Sequence, residues 1–209
     1  MNYSGHLSEN IFDPCRESEL LNMYRRLKKE SWPHLKDRVL QFKERKPVQI
    51  NRLGATIMKS SFEKSQNVMK ERIENIMASL VLDCSKESKG SEARGVLEKV
   101  HENQKFLQMK VLSCNMNFLM ESVKDICQSQ NLGEKEFSLF QEFAAECFRV
   151  SALMCLHSPE LLPSWETEVD GFNFITGLEE EMVIFPAIAN KKQIVCPPEI
   201  VSYNLSVRK

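Results

Sequence analysis

Residues 134–157 of the chain read EKEFSLFQEFAAECFRVSALMCLH, and this stretch decides the fold. Its apolar residues recur at intervals of three and four, which places side chains on a common helix face. The apolar positions extend around most of the helix, so the helix must be covered on several sides. They are Phe137, Phe140, Phe143, Ala144, Cys147, Val150, Leu153 and Met154. We therefore predict a helix over residues 134–157 that lies at the centre of the core.

Two long helices are predicted before this central helix. Residues 48–82 and 92–128 carry apolar residues at helical spacing, and the small polar residues 84–91 between them are typical of a loop. The second helix is predicted to end at residues 130–133, QNLG, because Asn and Gly tolerate the left-handed conformation of a helix C-cap.

The N-terminal part is predicted to form two short amphipathic helices. Asp13 followed by Pro14 is a typical helix start, since Asp caps free N–H groups and Pro lacks one. Apolar residues at helical spacing follow, and Trp32-Pro33 is expected to interrupt them. The pattern then resumes and stops at Pro47.

The character of the sequence changes after residue 158. Residues 181–188 and 193–196 are short β-prone runs joined by the polar stretch 189–192, which predicts a β-hairpin. Because Pro186 cannot donate a backbone hydrogen bond, its strand is expected at a sheet edge or a bulge. A third candidate strand contains Ile200, Val201 and Tyr203.

Together these patterns predict a mainly α fold, a helical bundle of about four to five helices with a small C-terminal β-hairpin or sheet. Only 7 Gly and 8 Pro among 209 residues, with 27% charged residues, also favour long helices over a sandwich or barrel. We expect a single domain over residues 1–209. In it, residues 1–47 hold the short helices, 48–157 the long-helix bundle and 158–209 a β-containing tail packed on the bundle.

The cysteines indicate a reducing compartment. Their odd number, seven, and the absence of a CxxC pair argue against a disulfide framework or a zinc site. Several lie in helical apolar patterns, where a free Cys behaves as a small hydrophobe. The N-terminal residues do not form a signal peptide, and no uncharged apolar stretch reaches the length of a membrane span. We expect a cytoplasmic protein.

No catalytic site, metal site or cofactor is expected. The four histidines are scattered, and nucleophile-elbow, zinc-protease, P-loop and dinucleotide-binding motifs are absent from the sequence. Glu179, Glu180 and Glu181 are either a general acid–base group or, as we favour, a solvated run of charge. The sequence therefore predicts a non-enzymatic protein.

A cluster of basic residues is the candidate functional surface. The net charge is −1, yet residues 25–46 contain nine basic residues and three acidic ones. Near an anionic membrane, each basic residue contributes about 1 kcal/mol. The candidate lipid-binding residues are Arg25, Arg26, Lys28, Lys29, Lys43, Arg45 and Lys46. The alternative is that they are only the solvated faces of two helices. Nucleic-acid binding is not expected, for want of overall positive charge and exposed aromatic residues.

Residues 143–154, FAAECFRVSALM, followed by LHSP at 156–159 and VIFPAI at 183–188, resemble the C-terminal domain of mitochondria-eating proteins. The resemblance covers about residues 137–203. Phe185 stands where a tryptophan is usual, and the long N-terminal coiled coil of that family is absent. The matched residues, which we expect to be structural, are Cys147, Arg149, Val150, Met154, Pro186 and Ala187. Arg149 is expected to pair with a buried acceptor or to cap a neighbouring helix.

This resemblance implies a helical domain that acts in mitochondrial quality control and associates with the anionic lipid cardiolipin. The first functional hypothesis is therefore an interaction module that docks on an anionic membrane, such as the mitochondrial surface, or on a protein partner. The alternative is a protein–protein adaptor or assembly subunit without a lipid role, which uses apolar helix faces or the strand edge at residues 183–188. Self-association into a homo-oligomer is open in both cases.

Overall fold

The computed structural model describes residues 16–42, 45–84, 106–108, 110–111, 117–157, 159–165, 168–169, 172–173, 180–191 and 193–203. Its helices are α1 (Glu17–Arg26), α2 (Trp32–Leu40), α3 (Pro47–Cys84), α4 (Asn117–Ser129) and α5 (Glu134–Cys155). A π-helical turn, Leu27–Ser31, joins α1 to α2. Antiparallel strands follow, so the predicted mainly α fold with a small C-terminal sheet is confirmed.

Helix α5 is the central helix, as predicted. Of its 22 residues, 13 are buried, among them Phe140, Phe143 and Phe148. It packs most extensively on α3 and also contacts α1, α2, α4 and the first strand. The remaining elements therefore cover a helix that is apolar on most sides.

The helical run of residues 17–40 is continuous, so the expectation that Trp32-Pro33 interrupts it is wrong. The Trp32 N–H bonds to the Leu27 carbonyl five residues earlier, which is the π-helical pattern. A wider turn suits Pro33, since proline lacks an N–H and its ring clashes with a carbonyl four residues back. The structure thus accommodates the proline by widening one turn. Pro47 is the first residue of α3, where its missing N–H leaves no hydrogen bond unmade.

The turn between α4 and α5 has the conformation that its sequence predicts. Asn131 has a φ of 52°, and the N–H groups of Asn131 and Leu132 donate to the carbonyls of Gln128 and Cys127. These two bonds form a Schellman C-cap. The predicted helix end at residues 130–133 is therefore confirmed. Residues 92–105, 109 and 112–116 of the helix predicted there lie outside the described residues, as do residues 85–91 of the predicted loop and the predicted helix start at Asp13 and Pro14.

The C-terminal strands are β1 (Leu162–Ser164), β2 (Glu168–Val169), β3 (Phe172–Asn173), β4 (Glu180–Phe185), β5 (Ala187–Ala189), β6 (Ile194–Cys196) and β7 (Glu199–Tyr203). Strands β5 and β6 form the predicted hairpin, but the run 181–188, predicted as one of its strands, is divided at Pro186 between β4 and β5, which lie in different sheets. The third predicted strand, β7, pairs with β4. Strand β1 pairs with β5, and β2 with β3; the sequence patterns predicted neither pairing. Pro186 separates β4 from β5 and accepts a 2.5 Å hydrogen bond from the hydroxyl of buried Tyr24. That bond ties α1 to the strands.

Helices α2 and α3 approach closely at Gly54. A Cβ atom placed on Gly54 would lie 2.2 Å from two ring atoms of Trp32, far inside van der Waals contact. Trp32 is itself buried and its ring packs on Phe143 of α5. Gly54 thus allows the indole to lie between α3 and α5.

We predict that Gly54→Ala lowers the free energy of unfolding by about 1–3 kcal/mol, since overpacking a core outweighs the gain in helix propensity. Urea unfolding followed by circular dichroism measures the change. Thr56→Ala, at an exposed position of the same helix, is the control and should change stability by no more than about 0.5 kcal/mol. Equal stability of Gly54→Ala and the wild type would contradict the packing described here.

Candidate functional site

The predicted basic cluster divides into separate groups. Arg25, Arg26 and Lys29 are exposed on α1 and the π turn, and we call these three residues the basic face. Lys46 is exposed just before α3. Lys46 follows the end of α2 at Leu40, and Leu40 lies about 16 Å from Lys29 along the helix, at about 1.5 Å per residue. The residues of the predicted basic cluster are therefore neighbours in sequence but do not all belong to one surface. Lys43 lies outside the described residues.

Lys28 is directed towards the C-terminal strands. Its Nζ lies 3.3 Å from a carboxylate oxygen of Glu199 on β7, and its side chain is only 20% exposed. Lys28 therefore stands in an ion pair within the protein, beside the basic face but not part of it.

Arg45 is held by contacts within the protein, so we do not include it in the basic face. Its Nε lies 2.9 Å from a carboxylate oxygen of Glu136, and the two side chains are 13% and 4% exposed. Its Nη2 donates to the carbonyls of Gln130 and Asn131 at 2.9 and 3.0 Å. These carbonyls follow the end of α4, where helical partners are lacking. Arg45 thus links the start of α3 to the turn between α4 and α5.

We predict that Arg45→Met lowers the free energy of unfolding by about 3–5 kcal/mol, because the buried Glu136 carboxylate loses its partner. Lys46→Met removes the same charge at the neighbouring exposed position and should change stability by about 0.5 kcal/mol or less. Thermal and urea unfolding measure both. Similar stabilities for the two variants would show that the Arg45 ion pair does not hold the turn.

A groove runs between the α1–α2 segment and α5. It contains a cavity of about 170 Å³ and a second of about 120 Å³, and Ser31 and Glu146 line both. The first is also lined by Met23, Arg26, Leu27, Arg149 and Val150. The second is also lined by His34, Leu35, Arg38, Leu139, Glu142 and Phe143. The groove therefore contains charged side chains of both signs next to the basic face.

Arg149 lies in this groove, on α5. Its Nε is buried and has no hydrogen-bond partner among the described residues, so the expected buried acceptor is not found at that atom. A sequence signal existed, because Glu142, Glu146 and Arg149 follow at spacings of four and three and so share one face of α5. The other family-matched residues, Cys147, Val150, Met154, Pro186 and Ala187, are buried.

Four cysteines, Cys127, Cys147, Cys155 and Cys196, are free and buried, as expected for small hydrophobes. Burial raises the pKa of Cys155 to about 12 and that of Cys127 to about 11, and it holds the pKa of Cys147 well above its ordinary value. Since the thiolate is the nucleophile, these thiols are unreactive near neutral pH.

We predict that an alkylating reagent at pH 8 modifies Cys147 and Cys155 more than about tenfold more slowly in the folded protein than in denaturant, because burial keeps both thiols protonated and covered. Peptide mass spectrometry resolves each site. Alkylation of Cys147 at the denatured rate, in a protein that circular dichroism shows to be folded, would contradict its burial.

In the part of the chain that the structure describes, no group of three or more His, Cys, Asp or Glu side chains could hold a metal ion. No described helix combines the length and the apolar character that a membrane crossing needs.

No protein-family model, curated protein or solved structure matches the chain. The likeness to mitochondria-eating proteins thus stays a hypothesis that depends on the residues quoted above.

Proposed function

We propose that this chain is a non-enzymatic interaction module that associates reversibly with anionic membranes containing cardiolipin. The observation that carries the proposal is the basic face, three exposed cations on consecutive turns of one helical segment. The resemblance to the C-terminal domain of mitochondria-eating proteins supports the same lipid. The module would then act in mitochondrial quality control, from the cytoplasmic side of the outer mitochondrial membrane.

The cations of the basic face are available to headgroups. Arg26 pairs with Glu30 at 3.6 Å, but both side chains are about 70% exposed. Such an exposed pair contributes about 0–1 kcal/mol and gives way readily to a phosphate. Lys29 has no ion-pair partner in the described ranges, and the Arg25 guanidinium donates only to the Asn22 side-chain oxygen, at 3.3 Å.

The size of the basic face sets the strength of the association. With about 1 kcal/mol for each basic residue, three residues contribute about 3 kcal/mol. This is enough for peripheral, salt-sensitive binding and too little for permanent anchoring. The proposed module therefore binds the membrane surface weakly and reversibly.

Vesicle flotation tests the proposal. At low salt we expect the wild type to float with vesicles containing cardiolipin and not with vesicles of phosphatidylcholine alone. Binding should decrease as the salt concentration is raised. Arg25→Glu/Lys29→Glu should weaken binding more than tenfold, since each reversal replaces an attraction by a repulsion. Lys59→Glu/Lys70→Glu, at two exposed positions of α3, changes the net charge equally and is the matched control.

The control pair should weaken binding much less than the pair in the basic face. No flotation of the wild type at low salt, or equal losses in the two double variants, would overturn the proposal.

A protein–protein adaptor is the second candidate. The edge expected at residues 183–188 is not available at Ala187 and Ile188, because β5 lies between β1 and β6, so the outer strand β1 is the surface that favours this role. Strands β1 and β6 are the outer strands of the three-stranded sheet, and Leu162 of β1 is a large apolar side chain that is 43% exposed. An outer strand can receive an added strand from a partner or a second copy. Light scattering decides between self-association and a monomer, and Leu162→Lys should abolish any self-association through β1.

A further inference from the structure

The unpartnered donor of Arg149 indicates a binding site. Buried polar groups nearly always have a hydrogen-bond partner, and one without a partner calls for an explanation. Here Arg149 lines the 170 Å³ cavity beside α1, and its buried Nε–H has no acceptor among the described residues. An acceptor from outside the chain would satisfy it.

The cavity volume limits what this acceptor is. Pockets for organic ligands usually start at about 300 Å³, whereas one water occupies about 30 Å³. At about 170 Å³, the cavity is too small for a large organic ligand and large enough for a single tetrahedral oxyanion. The bound group is therefore of that size, either as a free ion or as the end of a larger molecule.

The charges around the cavity favour an anion over a cation. Arg149 and Arg26 supply two guanidinium groups, and Glu146 is the one acidic residue among the described lining residues. Glu30 pairs with Arg26 at 3.6 Å, but both side chains are about 70% exposed, so this pair gives way readily to a phosphate. Guanidinium groups bind phosphate oxygens through paired, charge-assisted hydrogen bonds. Glu146 would repel a second anion, so the site has the charge for one phosphate group.

The π-helical turn shapes this site. Leu27 and Ser31, the first and last residues of the turn, both line the cavity. Single π-helical turns within α-helices are frequent at functional sites. Because Arg26 immediately precedes the turn, lines the cavity and belongs to the basic face, the cavity adjoins the face that would meet a membrane.

We propose that Arg149 and Arg26 bind one phosphate group in this cavity. The inference rests on the proposed function, and it assigns to the cavity the phosphate of the molecule that the basic face attracts. That phosphate belongs either to a lipid headgroup or to a free phosphate compound.

The first experiment uses inorganic phosphate and glycerol phosphate as probes, titrated into the ¹⁵N-labelled full chain in phosphate-free buffer. We expect saturable shifts of amide signals from residues 26–31 and 146–150. Arg149→Gln should weaken the affinity by about tenfold or more, because it removes charge-assisted hydrogen bonds, and Arg149→Lys should weaken it less. Arg72→Gln, at a half-buried position of α3 that lines neither cavity, is the matched control and should leave the affinity unchanged.

The second experiment repeats flotation with vesicles containing cardiolipin. Arg149→Gln should weaken vesicle binding although Arg25 and Lys29 are intact. If Arg149→Gln fails to fold, Arg26→Gln decides, since that side chain is 71% exposed and its replacement leaves the core intact. Arg26→Gln should weaken the phosphate-induced shifts several-fold.

The outcomes separate the two proposals. Shifts with the soluble phosphates support a free phosphate ligand, and an effect of Arg149→Gln on vesicle binding alone supports a lipid phosphate. No saturable shift with the soluble phosphates, together with vesicle binding that Arg149→Gln leaves unchanged, overturns the phosphate site while the basic face stands. Equal loss of vesicle binding in Lys59→Glu/Lys70→Glu and in Arg25→Glu/Lys29→Glu overturns the proposed function. The titration with soluble phosphates then tests the phosphate site independently of the membrane.

Discussion

The need to cover α5 on several sides is the constraint on which the structure depends. An apolar helix gains stability only where other elements remove its surface from water. Helices α1 to α4 and strand β1 contact it, and buried side chains of α1 to α4 and of strands β4 to β6 join one core with those of α5. Two polar links fix how the covering elements meet: Tyr24 to the Pro186 carbonyl, and Arg45 to the turn between α4 and α5. The core thereby sets the positions of the charged surface residues.

The charged groove follows from this arrangement. One stripe of α5 carries Glu142, Glu146 and Arg149, and the stripe faces the α1–α2 segment at its widened turn. Packing there leaves two cavities and a buried guanidinium N–H that has no acceptor among the described residues. The basic face lies beside the same turn. The cavity and the exposed cations of the basic face therefore lie next to each other, so the proposed phosphate site adjoins the proposed membrane contact.

Features with a local physical cause could be predicted from the sequence. The extent of α5, the left-handed Asn131 and the β5–β6 hairpin all follow from short-range periodicity or turn chemistry. Features that depend on distant partners could not. Arg45 belongs to a basic run in sequence, yet it is bound by Glu136, 91 residues later. The π turn was missed because proline is commonly a helix breaker, and the β1–β5 pairing because a three-residue strand has too little pattern. In the candidate site, exposure of Arg25, Arg26 and Lys29 agreed with expectation, whereas the cavity at Arg149 required the packing of two helices.

The most direct test is a paramagnetic relaxation measurement on the ¹⁵N-labelled chain bound to nanodiscs that contain cardiolipin and a headgroup-labelled paramagnetic lipid. We expect the strongest broadening for amide signals of residues 25–31, weaker broadening for residues 146–150, and little for residues 128–133, at the turn that Arg45 holds beyond the end of α2. The strongest broadening at residues 128–133 or at strand β1, or equal broadening along the whole chain, would contradict a membrane contact through the basic face.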